Sequence, residues 1–150
     1  MRIIVDGDAC PVKDVVLRAA QRLGLEMLLV SNARMAFGEE HGVTAVIVKA
    51  GPDAADDWIV AEATPEDLVI TADIPLADRV VAKGGLALGH RGELFDESTI
   101  ADRMATWALH RQLREGGMEL GGPKPYDNRD RQAFANGLEQ LLNRLKKRAR

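Results

Sequence analysis

Arg2-Ile3-Ile4-Val5 runs directly into Asp6-Gly7-Asp8, and the reading of these seven residues decides the fold. The apolar run is short, mostly β-branched and bounded by a glycine and acids, so it reads as a buried strand. Beyond it Val12, Val15, Val16, Ala19, Ala20 and Leu23 recur at helical spacing, and Gly24 supplies a stop. Pro11 suits the first helical position, where its missing N–H would have had no intrahelical partner. A strand that gives way to a helix and then to another strand is the unit of a parallel sheet with right-handed crossovers.

The alternation continues outward from that unit. Strands are expected at 2–6, 26–30, 43–48, 68–71 and 86–88. A second helix is expected over 53–63, closed by Thr64-Pro65, and a third from near Pro75 to just before Gly84-Gly85. After Phe95 the pattern changes to two long helices, 97–115 and 128–148, joined by the Gly/Pro-rich segment 116–126. No linker-like stretch precedes them, and each is too short to make a core alone. The expectation is one α/β domain over 1–150, three-layered and Rossmann-like, with a parallel-sheet core at 1–96 and a helical C-terminal extension at 97–150.

Composition bounds the function. The chain has 150 residues and 46% hydrophobic content, enough for one well-formed core. With three Phe, two Trp and one Tyr, that core must be mainly Val, Leu, Ile and Ala. A net charge of −3 gives no overall drive toward nucleic acid or anionic membrane. The average conceals an asymmetry: between 50 and 78 there are eight acids and no Lys or Arg, whereas the last helix ends in Arg144, Lys146, Lys147, Arg148 and Arg150. Those bases complement a helix C-terminus, and a nucleic-acid role is the alternative use for them. A single cysteine, Cys10, permits no internal disulfide, and no apolar run has the length of a membrane span. A cytoplasmic protein is expected.

Acids follow three of the expected strands: Asp6 and Asp8 after the first, Asp53, Asp56 and Asp57 at the start of the second helix, and Asp73 and Asp78 around the third. In an open α/β sheet ligands bind outside the carboxyl ends of the strands, so acids distant in sequence can converge there. Converging carboxylates repel, and a hard, oxygen-seeking cation such as Mg²⁺ or Mn²⁺ relieves the repulsion. Each acid also has a plainer use. Asp8 and Asp73 can cap helices, and the trio at 53, 56 and 57 can complement a helix dipole. Capping leaves Asp6 unexplained, and three independent caps are a poorer account of acids recurring after three strands. Spacing does not say which member of the trio would bind metal. Cys10 reads as packing, since a phosphatase-type Cys-x₅-Arg loop would need Arg where Val16 stands. His41, His90 and His110 lack the spacing of a zinc site.

The segments Asp6-Gly7-Asp8-Ala9-Cys10-Pro11-Val12-Lys13, Ala55-Asp56-Asp57-Trp58-Ile59-Val60, Thr71-Ala72-Asp73-Ile74-Pro75-Leu76-Ala77 and Gly121-Gly122-Pro123-Lys124-Pro125-Tyr126 resemble the bacterial YaiI/YqxD family. The resemblance spans nearly the whole chain; it departs at Gly7 and at Gly89-His90, and neither departure removes an acid. More broadly, an Asp ending the first strand, a central acid and a Thr-x-Asp-x-x-Leu segment resemble the PIN-like nuclease superfamily. That likeness implies a PIN-like domain and hydrolysis of RNA by metal-activated water. It implies Asp6, Asp57 (or Asp53) and Asp73 as the catalytic acids, with Asp78 a further ligand and Thr71 orienting a phosphate or a ligand carboxylate. Substrate phosphates also need cations near the acids, for which Lys13, Arg34, Lys124 and Arg131 are the candidates.

Two other classes fit parts of the pattern. A strand followed by Asp-x-Asp is similar to the haloacid-dehalogenase phosphatases, in which Asp6 would be the nucleophile and Asp8 a general acid; the order of the later residues fits them poorly. A non-catalytic RNA-binding module would keep the fold without turnover, although the scarcity of aromatic stacking residues gives it little support.

Overall fold

The computed structural model describes residues 1–7, 9–33, 37, 42–49, 51, 53–122 and 124–149. Among them six strands form one sheet: β1 (Arg2–Asp6), β2 (Glu26–Ser31), β3 (Thr44–Ile47), β4 (Leu68–Ile70), β5 (Leu86–Leu88) and β6 (Leu94–Phe95). The helices are α1 (Lys13–Leu23), α2 (Ala54–Glu62), α3 (Ile74–Ala82), α4 (Ile100–Glu115) and α5 (Asn128–Arg148). The strand order is β3-β2-β1-β4-β5-β6, with the first five parallel and β6 antiparallel to β5. The chain builds outward from β1 to β3 and then returns to the other side of β1 as β4. Winding direction therefore reverses between β1 and β4, which opens a crevice at their exits.

Alternation along the strands sorts side chains into two apolar layers. Ile3, Val5, Met27, Leu29, Leu68, Ile70, Leu86 and Leu88 face Val16, Ala19 and Ala20 of α1 together with Phe134, Leu138 and Leu142 of α5. Ile4, Leu28, Val30, Val69 and Ala87 face Ile59 of α2, Leu76 and Val80 of α3, and Ile100 of α4. The result is the expected three-layer α/β arrangement. The long C-terminal helix is no appendage to it, because Phe134, Leu138, Leu141, Leu142 and Leu145 are 0–1% exposed and form half of one layer. By contrast α4 buries Ile100 alone among its residues.

Several boundaries differ from the expectations. Val12 is the N-cap of α1 and Lys13 its first residue, so Pro11 lies in the preceding turn. The fourth helix begins at Ile100 because the Asp96 carboxylate accepts from the Ser98 N–H (2.9 Å), the Ser98 hydroxyl (2.7 Å) and the Thr99 N–H (3.1 Å), tying 96–99 into a turn. The two-residue β6 was not anticipated, being too short to show alternation. It pairs Leu94 with Leu88 and Phe95 with Ala87. Gly92, in the turn before it, has φ +87°, and a Cβ there would lie 2.7 Å from the Ala133 carbonyl oxygen, so glycine is what lets this turn touch α5.

The basic end of α5 is placed by two contacts. Arg144 donates to Asp96 at 2.9 Å, and Arg148 donates to the Gly84 carbonyl at 3.3 Å. Gly84 precedes β5 and Asp96 follows the antiparallel β6, so both mark the end of the sheet where the parallel strands begin. The acids that follow β1 and β4 are at the other end. The C-terminal bases and the acids that follow β1 and β4 thus stand at opposite ends of the parallel strands.

Candidate functional site

Asp6 is the last residue of β1 and is half-buried. Gly7 extends the ladder by one bond, donating to the Val30 carbonyl at 2.7 Å, and so fixes where Asp6 leaves the sheet. Thr71, fully buried just past β4, donates its hydroxyl to Asp6 Oδ2 at 2.9 Å and accepts the Asp73 N–H at 3.0 Å. One hydroxyl thus joins the exits of the two strands on either side of the winding reversal. Asp73 Oδ1 accepts the Leu76 N–H at 3.1 Å, so Asp73 is the cap of α3, its plainer use. Ala9, three residues beyond Asp6, holds φ 50°, a left-handed conformation that costs a non-glycine residue energy and often accompanies a functional loop.

Capping does not exhaust the acids. Asp53 occupies the N-cap position of α2 without a side-chain cap bond. Asp56, one turn later and half-buried, has its carboxyl pushed up to about 6, first by burial and then by the negative charges of Asp73, Asp6 and Asp53, with Arg79 opposing. Four acids from three segments therefore act on one another at the reversal point. Asp57, the central acid the resemblance implied, is exposed and paired with Arg79 at 2.9 Å. Asp78 lies on α3, five residues beyond its N-cap Asp73. Asp8 lies outside the described residues.

The donor set is all carboxylate, which suits Mg²⁺ or Mn²⁺. Among the described residues no three His, Cys, Asp or Glu side chains form a ready-made cage. Asp53, Asp56 and Asp73 line a cleft of about 520 Å³ together with Ala72, Ile74, Pro75, Trp107 and Arg111. Mg²⁺ commonly keeps several waters and takes only one or two protein carboxylates, so an open acidic cleft accommodates it without a closed cage.

The cations stand differently from expectation. Arg131 is bonded through both guanidinium nitrogens to Asp14, one contact at 3.2 Å. Lys124 Nζ lies 4.0 Å from Asp130. Lys13 opens α1 near Cys10, where its charge favours the thiolate, although burial as the larger influence pushes the Cys10 thiol up. Arg34 lies outside the described residues. Thr71 holds a candidate ligand carboxylate, the second of the two roles the resemblance implied for it. The basic residue that does border the cleft is Arg111, beside Trp107, and neither was anticipated. Both belong to α4, whose position depends on the whole β5–β6 excursion and leaves no local signal in the sequence.

An α/β three-layer protein with acids gathered at a winding reversal defines a broad structural class. Within it the chain belongs to the YaiI/YqxD family: the family profile described as "Uncharacterized BCR, YaiI/YqxD family" matches residues 4–144. Among similar proteins, one called "UPF0178 protein" from Geobacter metallireducens is 49% identical over 147 residues, covering 97% of this chain and 95% of the relative. Another of that name from Trichlorobacter lovleyi is 44% identical over 152 residues, covering 100% and 99%. A third, from Ectopseudomonas mendocina, is 46% identical over 147 residues, covering 97% and 99%. No helix among the described residues is long and apolar enough to cross a membrane.

Proposed function

We propose that the protein is a divalent-metal-dependent nuclease of the PIN-like type that hydrolyses RNA phosphodiesters. The observation that carries this reading is the carboxyl of Asp56, pushed up to about 6 by burial and by Asp73, Asp6 and Asp53. A charged carboxylate that is partly buried and also repelled by three other acids is a cost to the fold that a cation would offset. Asp6, Asp56 and Asp73 are the residues to hold Mg²⁺ or Mn²⁺, with Asp53 at the rim. The chemistry such an ion supplies when bound is Lewis acidity, toward an attacking water and toward charge developing on the leaving oxygen. The protein's own part is orientation: Thr71 fixes one oxygen of Asp6, and the Leu76 N–H fixes one oxygen of Asp73. With one lone-pair set engaged on each, both carboxylates are held in single directions, the preorganisation that catalysis on phosphate esters needs.

The phosphatase alternative requires Asp6 to attack phosphorus itself, with a lysine to steady the phosphate. Lys83 instead donates to the carbonyls of Val60 and Ala63, at the far end of α3. The test offers the purified protein a labelled single-stranded RNA and a small phosphomonoester, each with Mn²⁺. RNA should be cut, and no phosphate should be trapped on Asp6 by reductive labelling and mass mapping, because water attacks directly. Turnover of the monoester alone, with a labelled Asp6, would replace this reading by the phosphatase one.

A further inference from the structure

α4 has 16 residues where its neighbour α3 has nine. The chain leaves β6 at the end where the parallel strands begin, so α4 runs from there toward the strand exits. At 1.5 Å per residue it outreaches α3 by roughly 10 Å, which carries its last turns past the edge of the sheet. Ile100, Met104, Trp107, Arg111 and Arg114 follow at steps of four and three and share one face. That face begins buried at Ile100, is half-buried at Met104 and Trp107, and ends exposed at Arg111 and Arg114. Its apolar start packs toward α3; its basic end overhangs the acids.

Trp107 and Arg111 form one wall of the acidic cleft. The same two residues, with His110, Arg114 and Glu115, border a neighbouring hollow of about 370 Å³. The two hollows meet at Trp107, whose ring centroid lies 5.4 Å from the Arg111 guanidinium carbon. Arg111 is also paired with Glu115 at 3.2 Å, but both side chains are about two-thirds exposed (64% and 68%). Such a pair holds weakly and can be exchanged for a phosphate.

We propose that the overhanging half of α4 is the track along which single-stranded RNA enters the acidic cleft, with Trp107 stacking a base and Arg111 and Arg114 taking the adjoining phosphates. This rests on the nuclease reading and names the surface that serves it. Positive charge beside an acidic cleft answers a polyanion that must be brought against repelling carboxylates. An aromatic ring in a hollow answers an unstacked base, which a single strand offers and a duplex does not. A second copy of this chain is a poorer occupant, since the wall is basic with a single large aromatic side chain.

The experiment measures anisotropy of a labelled 12-nucleotide single-stranded RNA with the full chain in EDTA, so that no cleavage intervenes, across a salt series. Arg111→Gln with Arg114→Gln should weaken binding about tenfold and flatten the logarithmic salt slope by about 1.4, at ~0.7 for each phosphate no longer neutralised. Trp107→Ala should weaken binding at least about fivefold with the slope unchanged, and Trp107→Phe should restore most of the affinity. A duplex of the same sequence should bind at least about tenfold more weakly than the single strand. Unchanged affinity and slope in the double arginine variant would overturn the track, as would equal binding of duplex, or a salt slope that moves instead with Lys146→Gln and Lys147→Gln. RNA binding that disappears with the α4 substitutions, in a protein that never cuts RNA with Mn²⁺, keeps the track and removes the nuclease. Cleavage with an unchanged KM in the double arginine variant keeps the nuclease and removes the track.

Discussion

Asp56→Asn is expected to make the protein more stable in metal-free buffer and to remove the Mn²⁺-dependent cleavage of RNA proposed for it. The two effects have one origin. An aspartate ordinarily titrates near 3.8, and in the folded protein Asp56 does so at about 6. Above about 6 the carboxyl is charged both folded and unfolded, and the folded state bears the full repulsion. As pH falls through that value the folded state takes up a proton that the unfolded chain does not yet hold, and stability rises. Below 3.8 both states are neutral there and the penalty is gone. Asparagine removes the penalty at every pH. The displacement corresponds to about 3 kcal/mol at full strength, and solvent screening of a half-buried group leaves about 1 kcal/mol. The variant should therefore melt about 2–4 °C higher at pH 7.5, with the difference shrinking through pH 6 and vanishing near pH 4. Cleavage with Mn²⁺ should fall at least about 100-fold, because one of the three carboxylates proposed to hold the ion is removed. A variant that melts no higher and cuts as fast would remove Asp56 from the site.

Asp130→Ala is the substitution with the largest expected effect on the fold. Asp130 is 7% exposed. It receives Arg91 Nη1 at 2.7 Å and the Asp127 N–H at 3.1 Å, the return half of the capping box that starts α5. Arg91 in turn donates to the Lys124 carbonyl and lies over the Tyr126 ring, 5.5 Å from its centroid. Alanine removes the return half of the capping box, though not the Asp130 N–H to Asp127 bond, and leaves a largely covered guanidinium without its carboxylate, which should cost about 3 kcal/mol. Asp130→Asn keeps an acceptor for the Asp127 N–H and should cost roughly half as much. Urea unfolding of the two variants gives the comparison, and equal small decreases below about 1 kcal/mol would mean that α5 is held by its apolar face alone.

The centre of the sheet was legible because β1, β4 and β5 are buried on both faces and read as short continuous apolar runs, with acids after β1 and β4. Ile3–Val5 and Leu68–Ile70 are separated in the chain and adjacent in the sheet, and the winding rule alone was enough to bring Asp6 and Asp73 to the same crevice. Choosing among Asp53, Asp56 and Asp57 was not possible from spacing. That choice depends on the rotation of α2 about its axis, set by the burial of Ile59 and by Arg79 reaching Asp57 from the next helix. The surroundings of the basic residues were hidden for a similar reason. Arg131 looked available and is bonded to Asp14, 117 residues away, whereas Arg111 reaches the cleft only because α4 outruns α3. The basic C-terminus, for which a nucleic-acid role was the alternative use, stands at the opposite end of the strands from the acids.

The Thr71–Asp6 hydrogen bond spans 65 residues of chain. It cannot form until β1 and β4, each completed by residues on the far side of α1, β2, β3 and α2, have been brought side by side. We expect the crowding of the carboxylates to be felt late in folding, after the strands have paired. Interactions absent from the transition state change how fast a protein comes apart and leave its rate of assembly alone. Repulsion at the strand exits accordingly shortens the lifetime of the native state without slowing its formation. A cation that settles there acts as a brake on unfolding, which a double-jump unfolding experiment with and without Mg²⁺ reads directly.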